Sequence, residues 1–236
     1  MNESRLATLT LLGGFSCSGS GILPLSAQRL LAFLSLREGG LHRVAAAERL
    51  WPDSSPAKAA ANLRSALWRV RSIRTPVLID VVGPRLQISP TTRVDLLDVS
   101  ARASLIAAQP SSVDDMDVSM LRENLCKELL PGWSDDWLLM EQERWDQVRL
   151  HTLELVAQQL LSAKHYLSAL ETALAAIAIE PVRETSHRTV IEVHVAEGNA
   201  GCALKHFQRY RAMLHREVGV APSPRMTSLV RELIPT

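Results

Sequence analysis

The chain has 236 residues, 26 Lys and Arg against 25 Asp and Glu, a formal net charge of +1, and 47% hydrophobic against 22% charged residues. That balance excludes a disordered chain and allows one large or two ordinary domains, and near-neutrality means that any nucleic-acid footprint is local. No run approaches the ~20 apolar residues of a membrane span. The first fourteen residues lack a cationic leader and a cleavage signal, and Cys17, Cys126 and Cys202 are odd in number and far apart. The expectation is therefore a cytoplasmic protein with incidental thiols, no membrane partner, no metal and no cofactor.

In chain order, residues 6–12 and 15–25 are short apolar runs broken by Gly13-Gly14 and by the Ser-Gly stretch at 18–21. They predict two or three small antiparallel strands with tight turns. The glycines have neither the spacing nor the strand–glycine–helix order of a phosphate cradle. Ser26 is the expected cap of a helix to Arg37, with Leu30, Leu31, Phe33 and Leu34 inward and Gly39-Gly40 as its stop. A short helix over residues 43–50 follows, closed by Trp51-Pro52.

Asp53, Ser54 and Ser55 are cap-type residues, and Pro56 suits a first helical position. Between Ser54 and Ile79 lie five basic residues and no acidic one. With residues about 100° apart, Ala59, Leu63, Ala66, Leu67, Val70 and Ile73 form an apolar stripe. Lys58, Ala61, Asn62, Ser65, Trp68, Arg69 and Ser72 lie opposite, flanked by Arg64 and Arg71. Cations at the edges with small and polar residues between them suit a helix laid in a DNA groove. Beyond it, residues 77–79 and 86–88 flank Gly83-Pro84, a hairpin signal with Arg85 near its tip. Lys58, Asn62, Arg64, Ser65, Trp68, Arg69, Arg71, Arg74 and Arg85 are the expected DNA contacts. Helix, short helix, basic helix and hairpin is the order of a winged helix-turn-helix.

Residues 95–108 read as helix, 109–119 as a flexible polar stretch, and a short helix is expected around 121–129. After Pro131-Gly132 the chain is nearly continuous helix, interrupted near Lys164, Glu180-Pro181, Gly198-Asn199 and 219–224. Ala169-Leu170-Glu171 and Ala203-Leu204-Lys205 are 34 residues apart, each after a break, and Val156 and Val190 keep the same offset. A 34-residue helix–turn–helix period is the mark of tetratricopeptide-type repeats, which stack and leave a surface for a partner. The fold class expected is mainly α: a winged helix-turn-helix with a small sheet and wing hairpin over residues 1–95, then an all-α tetratricopeptide-like repeat domain over 96–236.

Glu184 and His187 resemble half of a di-iron carboxylate site, but no second Glu-x-x-His accompanies them. His187 and His194 therefore read as packing or hydrogen-bonding residues, and Trp133, Trp137 and Trp145 as core anchors. No nucleophile elbow is present, so no enzyme is expected.

The ordered set of features resembles one family. Leu50-Trp51-Pro52, then Ala60-x-Asn62-Leu63-Arg64-Ser65-x-Leu67-Trp68-Arg69-Val70-Arg71, then Val82-Gly83-Pro84-Arg85-Leu86 is similar to the winged-helix half of the Streptomyces antibiotic regulatory proteins. Leu130-Pro131-Gly132-Trp133, Asp136-Trp137-Leu138, Glu180-Pro181-x-x-Glu184-x-x-His187-Arg188, Gly198 and Glu217-Val218-Gly219-Val220-Ala221-Pro222 resemble the bacterial transcriptional activator half. The resemblance implies sequence-specific activation of bacterial gene clusters by binding direct repeats near a promoter and recruiting RNA polymerase, with a homodimer possible. It places the DNA role on Asn62, Arg64, Ser65, Arg69 and Arg71. No ATPase module is seen, so ATP-driven switching is not expected. A fragment ending near residue 110 is expected to bind DNA without activating. The alternative is a helical-repeat scaffold whose winged helix does not bind DNA, favoured by the near-neutral charge and the run Ala57, Ala59, Ala60, Ala61.

Overall fold

Strand β1 (Ala7–Thr10) sits at the centre of the first small sheet, with Ala7 and Leu9 turned into the core. On one side it pairs antiparallel with β2 (Ser16–Cys17). On the other it pairs in parallel with β6 (Thr92–Val94), Ala7 opposite Thr92 and Leu9 opposite Val94. The expected N-terminal antiparallel set thus gains its third member from a strand some eighty residues later. A parallel partner needs a long crossover, and the intervening helices supply it. The computed structural model describes residues 7–19, 21–72, 77–108 and 115–231.

The crossover begins with α1 (Leu25–Ser35), whose cap is Pro24 rather than Ser26: the Pro24 carbonyl accepts from Ala27 N and Gln28 N, so the helix starts two residues earlier. Leu30, Leu31, Phe33 and Leu34 are buried as expected. Then come β3 (Leu41–His42), α2 (Arg43–Leu50) and α3 (Pro56–Arg71). The hairpin β4 (Ile79–Val82) and β5 (Arg85–Ile88) turns at Gly83, φ 58°, and β5 lies between β3 and β4 in a second sheet. Helix α4 (Asp95–Ala108) follows β6 without a loop. The Asp95 carboxylate accepts from Leu11 N, Leu12 N and Leu96 N at 2.8, 3.1 and 2.7 Å.

The chain divides into two compact units, residues 1–100 with 127–145, and residues 101–126 with 146–236. The return of 127–145 to the first unit is absent from the expected division at residue 95. It is made by backbone as well as side chains. Leu130 N donates to Leu11 O, Gly13 N donates to Glu128 O, and Leu12 bridges Leu129. Trp137 meets Phe33 edge-on at 5.1 Å, Trp133 stacks on Phe15, and Arg29 and Arg37 pair with Asp135 and Glu141. Trp145 is buried and donates to the Lys127 carbonyl. Trp145 is a core anchor, and Trp133 and Trp137 are half-buried at the edge of that core.

The second unit is helical. Helix α5 (Asp115–Leu125) starts earlier than residue 121 and ends earlier than 129, because Leu129 and Leu130 belong to the bridge with β1. Helix α6 (Asp136–Ser162) belongs to this unit from Asp146. It is followed by α7 (Tyr166–Ile179), α8 (Glu184–Ala196), α9 (Ala200–Val218) and α10 (Pro224–Arg231). The breaks fall where the sequence placed them.

The 34-residue period is visible in the backbone itself. Lys164 and Gly198 both take a left-handed conformation, φ 65° and 76°. His165 N donates to Leu160 O, and Asn199 N donates to His194 O, the same six-residue closure one repeat apart. Ala169 and Ala203 are fully buried at matching positions, as are Val156 and Val190. Small side chains there let neighbouring helices approach closely, and the two helix pairs bury a shared face. Among the described residues no helix is long and apolar enough to cross a membrane.

Candidate nucleic-acid interface

Helix α3 begins where its sequence says it should. Ser55 is the cap, its hydroxyl accepting from Lys58 N, and Pro56 occupies the first turn, where its missing N–H costs nothing. Ala59, Leu63, Ala66, Leu67 and Val70 are buried, packed against α1 and α2. That burial fixes the rotation of the helix and turns the opposite side outward.

On that outward side Lys58, Arg64, Ser65, Trp68, Arg69 and Arg71 are all exposed, while Asn62 is half-buried at the edge of the core face. Trp68 shows 69% of its surface, a large apolar ring held out among cations rather than packed. Lys58, Arg64, Arg69 and Arg71 make no ion pair among the described residues. They are cations without a counter-charge, as a surface awaiting a polyanion requires. Arg74, and Ile73 of the apolar stripe, lie outside the described residues.

Arg85 is placed differently from its neighbours. Its Nη2 donates to the carbonyls of Gly39 and Gly40 at 3.2 and 3.0 Å, so part of its guanidinium ties the hairpin to the turn after α1. Its first role is therefore to hold the wing. The wing tip is also tied to α2, since Arg43 N donates to Pro84 O. Arg43 itself is exposed at the start of α2 and lines a cavity of about 240 Å³ between α2 and α3, together with Val44, Ala47, Ala60, Leu63 and Arg64. Sequence reading passed over Arg43, because its nearness to α3 depends on the angle between two helices and not on either helix alone.

The set-aside residues are occupied elsewhere. The His187 Nε2 faces the Pro181 carbonyl at 2.8 Å, and its Nδ1 lies 3.0 Å from His206 Nε2, with Tyr210 stacked on the ring. A carbonyl only accepts, so His187 carries its proton on Nε2 and accepts from His206. Burial pushes the His187 pKa down, and that of His206 down to about 4, helped by the nearby His187, His194 and Arg209 charges. Glu184 accepts from Ser223 N and Ser223 Oγ, fastening the start of α10. Among the described residues no group of three or more His, Cys, Asp or Glu is placed to hold a metal.

A basic helix with its hairpin, followed by stacked helix pairs, defines a winged-helix fold joined to a helical-repeat domain. Residues 118–234 match the bacterial transcriptional activator domain family. The fold is similar to that of Mycobacterium tuberculosis EmbR, solved in complex with a low affinity phosphopeptide: TM-score 0.68 at 17% identity, covering 97% of this chain and 65% of that one. The chain thus spans about two thirds of EmbR's length, and at that identity the likeness speaks for the fold. Comparison with curated protein sequences gives no match. Residues 118–234 thus carry a bacterial transcriptional activator domain, and the fold as a whole is similar to that of EmbR.

Proposed function

We propose that this regulator binds promoter DNA through α3 and activates transcription by recruiting RNA polymerase through its helical half. The observation that carries the reading is the outward side of α3, where four cations without an ion pair among the described residues surround Ser65 and Trp68. A helix presented this way enters the major groove: Arg64, Arg69 and Arg71 reach guanine edges or phosphate, while Asn62 and Ser65 supply short donors and acceptors. Lys58 near the helix start and the hairpin carrying Arg85 lie toward the sugar–phosphate backbone. Stacked helix pairs suit a protein partner, RNA polymerase or a second protomer on a direct repeat.

The test is an electrophoretic mobility assay with duplexes from upstream of neighbouring genes. Arg64→Ala or Arg69→Ala is expected to weaken binding to the preferred duplex by ~1–3 kcal/mol if the lost contact is bidentate to guanine. Unchanged affinity in both variants, with folding intact, refutes the assignment to α3. A wild-type chain that binds no duplex but still captures RNA polymerase would favour the scaffold reading.

A further inference from the structure

We infer that the exposed side of α9 is a second, sequence-independent contact for the DNA backbone. This goes beyond the reading of α3 while resting on the same view of the chain as a DNA binder.

Between Ala200 and Arg231 stand six Lys and Arg against a single acid, Glu217. Outside this stretch and the α3 stretch, the remaining fifteen Lys and Arg face twenty-four Asp and Glu. The chain's near-neutral total therefore hides two local concentrations of positive charge in an otherwise acidic protein.

The fold arranges the second concentration on one side. Ala203, Phe207, Tyr210 and Leu214 are buried against α8 and α10. At about 100° per residue, Lys205, Arg209 and Arg216 fall within about 40° of one another, directly opposite that core. All three are exposed. Eleven residues at 1.5 Å each spread them over about 16 Å of helix. Lys205 and Arg209 make no ion pair among the described residues, and Arg216 pairs only with its neighbour Glu217. The field of this side reaches inward: Arg209 is among the charges that depress His206.

The chemistry of the side selects the partner. Beside the cations lie Gly201, Cys202, Gln208 and Ala212, all exposed, and Phe207 and Tyr210 are turned into the core. Protein interfaces centre on aromatic and aliphatic anchors seated in pockets, which this side lacks. Duplex DNA asks for none. It offers one negative charge per ~1.7 Å of axis, so cations strung along a helix find phosphate without any demand on register or base sequence.

The experiment uses the full chain and a 40-base-pair duplex of arbitrary sequence, measuring affinity between 50 and 200 mM salt. The slope of log affinity against log salt is expected to flatten by about 2 in Lys205→Ala/Arg209→Ala, one for each lost phosphate contact. Arg209→Lys, which keeps the charge, retains the wild-type slope. Both residues are exposed, so the melting temperature stays within about a degree of the parent. A wild-type slope in the double variant, alongside a flattened one in Arg64→Ala/Arg69→Ala, overturns the α9 contact and leaves α3 standing. The reverse pattern supports α9 and overturns α3. Loss of promoter activation with an unchanged slope assigns α9 to an acidic protein partner and also overturns the proposal.

Discussion

The carboxylate of Asp95, the first residue of α4, accepts a hydrogen bond from the backbone N–H of Leu11 at 2.8 Å across 84 residues of sequence. It accepts from Leu12 N as well, and both leucines are buried. Two N–H groups at the end of β1 would otherwise be unsatisfied beside the core. Asp95→Ala is expected to destabilise the first unit by roughly 1.5–3 kcal/mol, the range for hydrogen bonds to a charged group. Asp95→Asn, with one accepting oxygen, falls between the two. Urea unfolding midpoints check the order, and an Ala variant as stable as the parent contradicts it.

Gly40 lies where the turn after α1 meets β5. Its φ is 71°, and a Cβ there would stand 2.7 Å from the Leu86 carbonyl oxygen and 2.9 Å from Gln87 Cβ. The first neighbour is backbone and cannot step aside without breaking the pairing of β3 with β5. Gly40→Ala is expected to cost more than ~1 kcal/mol from the left-handed conformation alone, and more again from the clash. Gly39→Ala, with the same φ but open space, is expected to cost only the conformational part. Melting temperatures of the two variants, side by side, separate these contributions.

A fragment that stops near residue 110 lacks Leu129, Leu130, Trp137 and Leu138. Leu129, Leu130 and Leu138 are buried in the first unit and Trp137 packs on Phe33 there. Losing several large core side chains at ~2–5 kcal/mol each removes as much as a domain's whole stability of ~5–15 kcal/mol. The short fragment is expected to melt without a cooperative transition, whereas one extended through Trp145 is expected to unfold cooperatively. A stably folded N-terminal piece is therefore expected to need residues 127–145 as well. Calorimetry of the two fragments decides, and equal transitions in both would show that residues 127–145 contribute little.

His206 donates to His187 and titrates at about 4 in the folded chain, below its ordinary value of 6.5. Between those values the unfolded chain binds a proton that the folded one does not. Stability is thus fully present above pH 6.5 and is lost as pH falls toward 4. Because the ring is only partly buried, the loss is expected to be about 1–2 kcal/mol rather than the full shift, or several degrees of melting temperature. His206→Gln keeps a donor, does not titrate, and is expected to flatten the dependence of the second unit's melting on pH over this window. An unflattened curve would assign the acid sensitivity to other groups.

Much of this architecture is written locally. The Ser55-Pro56 start of α3, its apolar stripe, the glycine turn of the hairpin and the helix breaks at Lys164 and Gly198 each depend on residues within one or two turns of chain. The 34-residue period survives in sequence because small residues must recur wherever equivalent helices touch. The rotation of α3, and with it the outward cations, was legible for the same reason: the core stripe determines which side faces solvent.

What the tertiary structure alone decided involves partners far apart in sequence. Periodicity reveals that a strand has a buried face, but not which strand lies beside it, so the parallel pairing of β1 with β6 was hidden. The return of residues 127–145 rests on backbone pairing with Leu11, Leu12 and Gly13, groups that every residue carries and that leave no side-chain signature. Arg85 and Lys58 are equally basic in sequence. Only the approach of the Gly39 and Gly40 carbonyls makes Arg85 a brace for the wing, while Lys58 makes no ion pair among the described residues, because a carbonyl's position is set by the path of the chain and not by the residue that bears it.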